Sequence, residues 1–179
     1  YWEERRSELL ALAETNCVIF EYLDHIDEKI SGSQGAIALR SLLDFAIEHA
    51  AQIHFLATAR SLLAELAQKG IKDALLSPNG VDSRHFTRQQ ELPDDPVFRK
   101  IVGKDKPIIG YYGALAPWLD YQLLNNAAQQ CPEYEFVYIG IDYQHAVSRL
   151  DRNLPNCTWL GPKDYTILPH YASFFHAAI

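Results

Sequence analysis

The stretch Pro107-Ile108-Ile109-Gly110-Tyr111-Tyr112-Gly113-Ala114-Leu115-Ala116-Pro117-Trp118 decides the fold. Its first half is an apolar and aromatic run of the length and residue type that fit a buried strand. Glycine closes the run, and Pro117 stands where a first-turn proline starts a helix, predicted to reach about Gln130, before Pro132. A continuous apolar strand that hands over to a helix is one half of a parallel βαβ unit, with the strand covered on both faces.

The same phrase recurs on either side. Residues 135–139 and 157–160 read as strands ending at Gly140 and Gly161, with helices around 143–150 and 165–171 and a last strand over 174–179. Upstream, residues 17–22, 53–57 and 74–77 read as strands. Helical spacing covers 4–14 and 37–50, the latter with Leu39, Leu42, Leu43, Ala46 and Ile47 on one face. A further helix follows Thr58, a predicted N-cap, and stops at Gly70. Ser31-Gly32-Ser33-Gln34-Gly35 reads as a break. The expected class is α/β, with Rossmann-like parallel sheets carrying helices on both faces. Residues 81–106 are polar, contain Pro93-Asp94-Asp95-Pro96, and read as a linker with at most one short helix. That divides the chain into 1–80, 81–106 and 107–179.

Composition narrows the function. Over 179 residues, 16 Lys+Arg against 23 Asp+Glu give a net charge of −7, so the positive surface a nucleic-acid binder needs is absent. No run approaches the ~18 apolar residues of a membrane-spanning helix, and no signal peptide is visible. Cys17, Cys131 and Cys157 are odd in number and far apart, which reads as buried small hydrophobes in a reducing, cytoplasmic setting. The sequence opens inside a helix-like pattern, contains no Met and stops in an apolar run, so the chain is expected to be a fragment.

In open parallel sheets, ligands sit where strands end and helices begin. The Gly110 to Trp118 loop is the first candidate: glycine admits close backbone approach, and a helix start offers free N–H groups and a positive dipole end to a diphosphate. Its Gly-x-x-Gly spacing equally fits a tight turn, and Tyr111, Tyr112 and Trp118 fit either a cleft wall or core packing. Gly140 closes the next strand, and Lys163, after Gly161, is placed to meet a phosphate or to be solvated. The fourth loop is Asp24-His25-Ile26-Asp27-Glu28, which offers a general base or hydroxyl-orienting groups, or simply a solvated loop with an N-capping Asp. No third ligand accompanies Asp24 and Asp27, so no metal is expected there. His49, His54, His85, His145, His170 and His176 are scattered and read as structural or surface residues. No nucleophile elbow, Walker loop or kinase signature appears.

Taken together, these segments resemble a known family. Ser77-Pro78-Asn79-Gly80-Val81-Asp82-Ser83-Arg84-His85-Phe86 resembles the Pro-Asn-Gly-Val-Asp-x-x-x-Phe segment that ends the N-terminal domain of GT-B glycosyltransferases of the group 1 (family 4) type. Ile109 to Ala114 with Trp118-x-Asp120 looks like the first strand and loop of the donor domain, and Phe136 to Gly140 like its second strand. Asn156-x-x-x-Leu160-Gly161 and Tyr165-x-x-Leu168-Pro169-x-Tyr171 look like the third strand and the helix after it. The subset includes the teichuronic-acid and exopolysaccharide transferases.

The resemblance implies a GT-B type chain with both domains incomplete: the end of an acceptor domain (1–80), an inter-domain linker (81–106) and the first half of a donor domain (107–179). It implies transfer of a sugar from a nucleotide-sugar to a hydroxyl on a saccharide or lipid-linked acceptor, with retention, with no metal and no cofactor beyond the co-substrate. Donor-binding residues would be Gly110, Gly113, Ala114, Trp118, Gly140 and Lys163, with Asp24 and Asp27 on the acceptor side and no catalytic residue assignable. The location would be cytoplasmic, with the inner face of the membrane open to peripheral attachment. Residues 114–118 lack the Arg and Lys that many members carry there, and the Glu-x₇-Glu segment that grips the donor is not in the sequence, so the chain alone is expected to be inactive. A sugar-nucleotide epimerase of the same architecture and a noncatalytic scaffold derived from a transferase are the alternatives.

Overall fold

Three short parallel strands, β1 (Val18–Tyr22), β2 (Ile53–Ala57) and β3 (Leu75–Leu76), pair in that order with Tyr22 opposite Ala57 and Ala57 opposite Leu76. Their carboxyl ends are therefore level, and the loops leave from one side. The computed structural model, which describes residues 3–87 and 91–179, divides into one unit ending at Val81 and a second spanning Asp82–Ile179.

In the first unit, helices α1 (Arg6–Ala13), α2 (Glu28–Glu48) and α3 (Arg60–Gln68) accompany the sheet. Tyr22, Phe55 and Ala57 pack against Leu43, Phe45 and Ala46 of α2 and Leu62 and Leu66 of α3. Both-face coverage does not hold here: Ile19 is 54% and Leu75 65% exposed, and His54 is also at the surface, so the core lies on one side of this sheet. The expected break at Ser31–Gly35 falls inside α2, where Gly32 takes φ +70 and ψ 161 and kinks the helix. Thr58 does not cap α3, whose N-cap is Ala59; its hydroxyl donates to the Leu23 carbonyl and ties two strand-end loops together.

The second unit is a four-stranded parallel sheet, β4 (Ile108–Tyr112), β5 (Glu135–Ile139), β6 (Cys157–Trp159) and β7 (Ala177–Ala178), in the order β6-β5-β4-β7. Helices α4 (Pro96–Val102), α5 (Tyr121–Gln130) and α6 (Leu168–Ala172) complete it. Alternation along β5 feeds two cores. Phe136 and Tyr138 meet Tyr121, Ala128, Val147 and Leu150, whereas Val137 and Ile139 meet Phe98, Ile101 and Tyr171. This sheet is covered on both faces, as its apolar strands require.

The reading of 81–106 as a linker is corrected by that second core. Phe98 and Ile101 of α4 are buried against Ile108, and Asp95 caps the helix by accepting from the Val97 and Phe98 N–H groups. From Asp82 onward the segment is part of the second unit. The helix expected over 143–150 is instead a 3₁₀ turn, Tyr143–Arg149, in which Gln144 and His145 take positive φ. The Asp142 carboxylate accepts from the Val147 N–H at 2.9 Å and draws this segment tight.

Two buried polar side chains hold the second unit together. Glu135, 1% exposed, lies at 2.8 and 2.9 Å from the Lys104 ammonium, which satisfies both of its oxygens. Asn156, also buried, directs its amide at the carbonyls of Ala128, Cys131 and Tyr134, at and just beyond the end of α5, where the helix itself supplies no donor to its last carbonyls. His176 completes the β4–β7 pairing, its Nδ1 accepting from the Ile108 N–H at 3.0 Å.

Candidate functional site

The corner after β4 is built from backbone. Past Tyr112 the chain continues to pair with the end of β5: the Gly113 N–H donates to Ile139 O and the Leu115 N–H to Ile141 O, each at 2.9 Å. The Gly140 N–H donates to Gly161 O at 3.0 Å, and Trp159 Nε1 donates to Gly140 O at 3.0 Å. Glycines at the ends of β4, β5 and β6 are thus laced into one rim. Gly140 is obligatory there, because a Cβ on it would fall 1.7 Å from the Gly113 carbonyl oxygen. The Tyr111 hydroxyl donates to Ala114 O at 2.9 Å and fixes the turn from beneath. These bonds consume the N–H groups of Gly113 and Leu115. The Ala114 N–H, between them, has no acceptor among the described residues.

Exposed aromatic rings flank this rim. Trp118 and Tyr143 lie 5.5 Å apart between ring centres, and Tyr112 is stacked under Phe86 at 5.9 Å. Residues 82–86 form a turn closed by Asp82, which accepts from the Arg84 and His85 N–H groups. The His85 ring stacks on Tyr165 at 4.2 Å, and its Nε2 lies 2.8 Å from Tyr165 O; since a carbonyl only accepts, Nε2 carries the proton. The Asp82-x-x-His85-Phe86 turn is therefore an aromatic clasp across the strand ends of the second unit.

A second site lies in the first unit, where β1 ends. A cleft of about 270 Å³ opens beneath the kinked start of α2, lined by apolar residues and by Asp24 and His25. Behind it, Glu65 of α3 uses both oxygens: Oε2 accepts from the Tyr22 hydroxyl and Oε1 pairs with His25 Nδ1, each at 2.8 Å. Burial, reinforced by Glu65, pushes the Tyr22 hydroxyl up to about 12, so it stays protonated as a donor.

Comparison with known proteins brings out both a sequence relative and a shared architecture. No family model matches the chain. Over 103 residues, 56% of the chain, it is 29% identical to a Bacillus subtilis (strain 168) protein named as a teichuronic acid biosynthesis glycosyltransferase, TuaH, of which it covers 25%. Crystal structures of Anabaena Alr3699/HepE with UDP and glucose, with UDP-glucose and with UDP superpose on 97% of the chain with TM-scores of 0.64, 0.64 and 0.65 at 15, 16 and 17% identity. The chain has the GT-B glycosyltransferase fold. It spans half the length of HepE and a quarter of that of TuaH.

Within the GT-B frame, several residues singled out above take other places. Gly110 lies mid-strand under the Phe175 ring, which a Cβ would meet at 2.0 Å, so its small size serves packing. The helix does not start at Pro117 but at Tyr121, and Asp120 caps it by accepting from the Leu123 N–H at 3.0 Å. A carboxylate therefore already sits at the positive end of α5. Gly113 contributes geometry rather than a free N–H. Asp27 is the N-cap of α2, accepting from the Lys29 N–H at 2.8 Å, whereas Asp24 lines the cleft. Gly140 and Trp118 stand at the rim.

Lys163 does not present a free cation. Its ammonium is 2.8 Å from Asp95 Oδ2, which also accepts from the Tyr171 hydroxyl at 3.1 Å. Burial disfavours both charges, but each partner outweighs it: the Asp95 carboxyl is held below its ordinary value and the Lys163 ammonium above. A carboxyl lowered by folding contributes stability that is fully present above its unfolded value, about 4, and is lost as pH falls from there through its lower folded value. The raised ammonium is lost only at strongly alkaline pH. Acid unfolding of the second unit below about pH 4 should therefore be shallower in Asp95→Asn than in the wild type, as followed by Trp fluorescence; equal slopes would contradict the assignment.

Glu65 and Tyr22 were invisible as site residues. Glu65 is 43 positions from Tyr22 and 40 from His25, so only the fold joins them. Among the described residues no group of three or more His, Cys, Asp or Glu is arranged to hold a metal, and no helix is long and apolar enough to cross a membrane.

Proposed function

We propose that the chain is part of a glycosyltransferase that moves a sugar from a nucleotide-sugar to a hydroxyl acceptor in cell-surface polysaccharide synthesis, at the inner face of the membrane. In this reading the reaction retains the anomeric configuration and needs no metal. The second unit takes the nucleotide diphosphate. The observation that carries the reading is the Ala114 N–H, which has no acceptor among the described residues and lies between the paired N–H groups of Gly113 and Leu115. When the glycosyl–phosphate bond breaks, negative charge gathers on the departing diphosphate, and a donor fixed in advance by the surrounding ladder stabilises it. Exposed Trp118 and Tyr143 beside it offer faces for a base or a sugar ring. Binding of UDP and UDP-glucose by HepE, and the name of TuaH, support the substrate class. With half of the HepE length present, binding rather than turnover is expected of these 179 residues.

A noncatalytic module that scaffolds a synthesis complex is the second reading, favoured by the commitment of Lys163 to Asp95, which leaves the rim without that cation. Titration of the ¹⁵N-labelled chain separates the two. Millimolar UDP should shift the amide of Ala114 and its neighbours, with uridine shifting them far less. Absence of any UDP response over residues 110–118 would overturn the transferase reading in favour of the scaffold.

A further inference from the structure

We infer that Asn79 is a self-modifying site: the Gly80 main-chain nitrogen closes on the Asn79 side chain, and the asparagine becomes a mixture of aspartate and isoaspartate. The inference is independent of the transferase reading.

The stretch Pro78-Asn79-Gly80-Val81 is held only at its two ends. β3 stops at Leu76, and the Ser77 N–H is the last to join the sheet, donating to Ala57 O at 2.8 Å. The next anchor is Asp82, whose carboxylate accepts from the Arg84 and His85 N–H groups. Between them, residues 78–81 belong to no helix or strand and are exposed, Val81 at 73%. Neither the Asn79 side chain nor the N–H groups of Asn79 and Gly80 have a hydrogen-bond partner among the described residues. An amide held in a ladder must first open before its nitrogen can react, and here nothing has to open.

The reaction needs the nitrogen of the following residue to reach the asparagine side-chain carbonyl. Hydroxide takes the Gly80 amide proton, the nitrogen attacks Asn79 Cγ, and the side-chain NH₂ leaves as ammonia with a proton from water. The product is a five-membered succinimide. Water then opens the ring: cleavage of N–Cγ restores the main chain and gives aspartate, whereas cleavage at the Asn79 main-chain carbonyl gives isoaspartate. One water is consumed and one ammonia released, so the solvent supplies every reactant. In most sequences the next side chain crowds that nitrogen and restricts its backbone, and glycine does neither. A Cβ on Gly80 would meet nothing within 4 Å, so the closing ring also has room.

The other five asparagines lack this combination, and none precedes a glycine. Asn16 is bonded to Leu12 O, and Asn125 and Asn126 lie in α5. The Leu154 N–H, after Asn153, donates to Asp151 O, and Asn156 is buried. Conversion at Asn79 adds a carboxylate to a chain already at −7. The isoaspartyl form also adds one carbon to the main chain, two residues before the first unit ends at Val81.

The test holds the whole chain at 37 °C and pH 8.5 and maps its peptides by mass spectrometry, with fragmentation that separates isoaspartate from aspartate. Asn79 should convert at least about fivefold faster than any other asparagine, and both isomers should form. Its rate in the urea-unfolded chain should lie within about fivefold of that in the folded chain, whereas Asn156 should react only when unfolded. Gly80→Ala, which points into open space, should leave the amide spectrum elsewhere unchanged and slow Asn79 at least about fivefold. Any of four results overturns the inference: no such lead for Asn79, aspartate as the sole product, larger protection by folding, or a smaller effect of Gly80→Ala.

Discussion

Gly140→Ala should strongly destabilise the second unit while leaving the first intact. The added methyl carbon would sit 1.7 Å from the Gly113 carbonyl oxygen and 2.7 Å from its carbon, with φ at +149 in a region that side chains rarely adopt. Both contacts are to backbone, so no rotamer change relieves them. The Gly113-to-Ile139 hydrogen bond and the Leu115–Asp142 bridge must break to admit the methyl group. Strain at such a backbone position and overpacking each cost on the order of 1–3 kcal/mol, so a loss of about 4 kcal/mol is expected. Against a total stability of about 5–15 kcal/mol, that is roughly a quarter or more of what holds such a unit folded. Urea denaturation with amide spectra recorded for both units measures it. Gly161→Ala, with φ +74 but open space around it, is the control and should cost only about 1–2 kcal/mol. Equal effects of the two would show that Gly140 is not a contact glycine.

The second large effect belongs to Asn156→Ala. Two amide hydrogens serve three carbonyls, Ala128 at 2.9 Å, Tyr134 at 3.0 Å and Cys131 at 3.2 Å, in a site where the side chain is 4% exposed. Truncation takes the side-chain donor from the Ala128 and Tyr134 carbonyls, while Cys131 O keeps the Tyr134 N–H. An unsatisfied buried polar group costs about 1–3 kcal/mol, and the loss here is expected at about 3 kcal/mol. Asn156→Asp should be worse, because it turns a donor into a charge facing carbonyl oxygens. Asn125→Ala, whose hydrogen bonds to Arg149 and Asp151 are exposed to solvent, should cost about 1 kcal/mol or less. Thermal melts of the three variants rank them; an Asn156→Ala midpoint no lower than that of Asn125→Ala would refute the buried-cap account.

The strands were legible because continuous apolar runs such as 108–112 and 135–139 have few other uses in a soluble chain, and glycine at their ends marks where the backbone must turn. What failed to show was competition between local signals. Pro117 is a fair first-turn residue, but Asp120 is a better cap and took the helix start, leaving 117–119 as a turn. Gly110 and Lys163 belong to contacts 65 and 68 positions away, with Phe175 and Asp95, and no local pattern announces either. The polar composition of 81–106 hid α4 because only two of its side chains, Phe98 and Ile101, are needed to anchor it. For the candidate site, the corner itself was readable, whereas which of its amides stays unpaired depends on the β5 ladder. The fourth loop showed Asp24 and His25; Glu65, which gives the histidine its direction, lies beyond an intervening helix and strand.

The aromatic clasp bears on how the polypeptide is divided for expression. A truncation starting at Pro107 would keep every strand of the second sheet yet strip Tyr112 and Tyr165 of their covering rings, presenting greasy faces to water and inviting precipitation. Starting at Asp82 retains the cover, so the gene is better cut immediately after Val81, where the two units part.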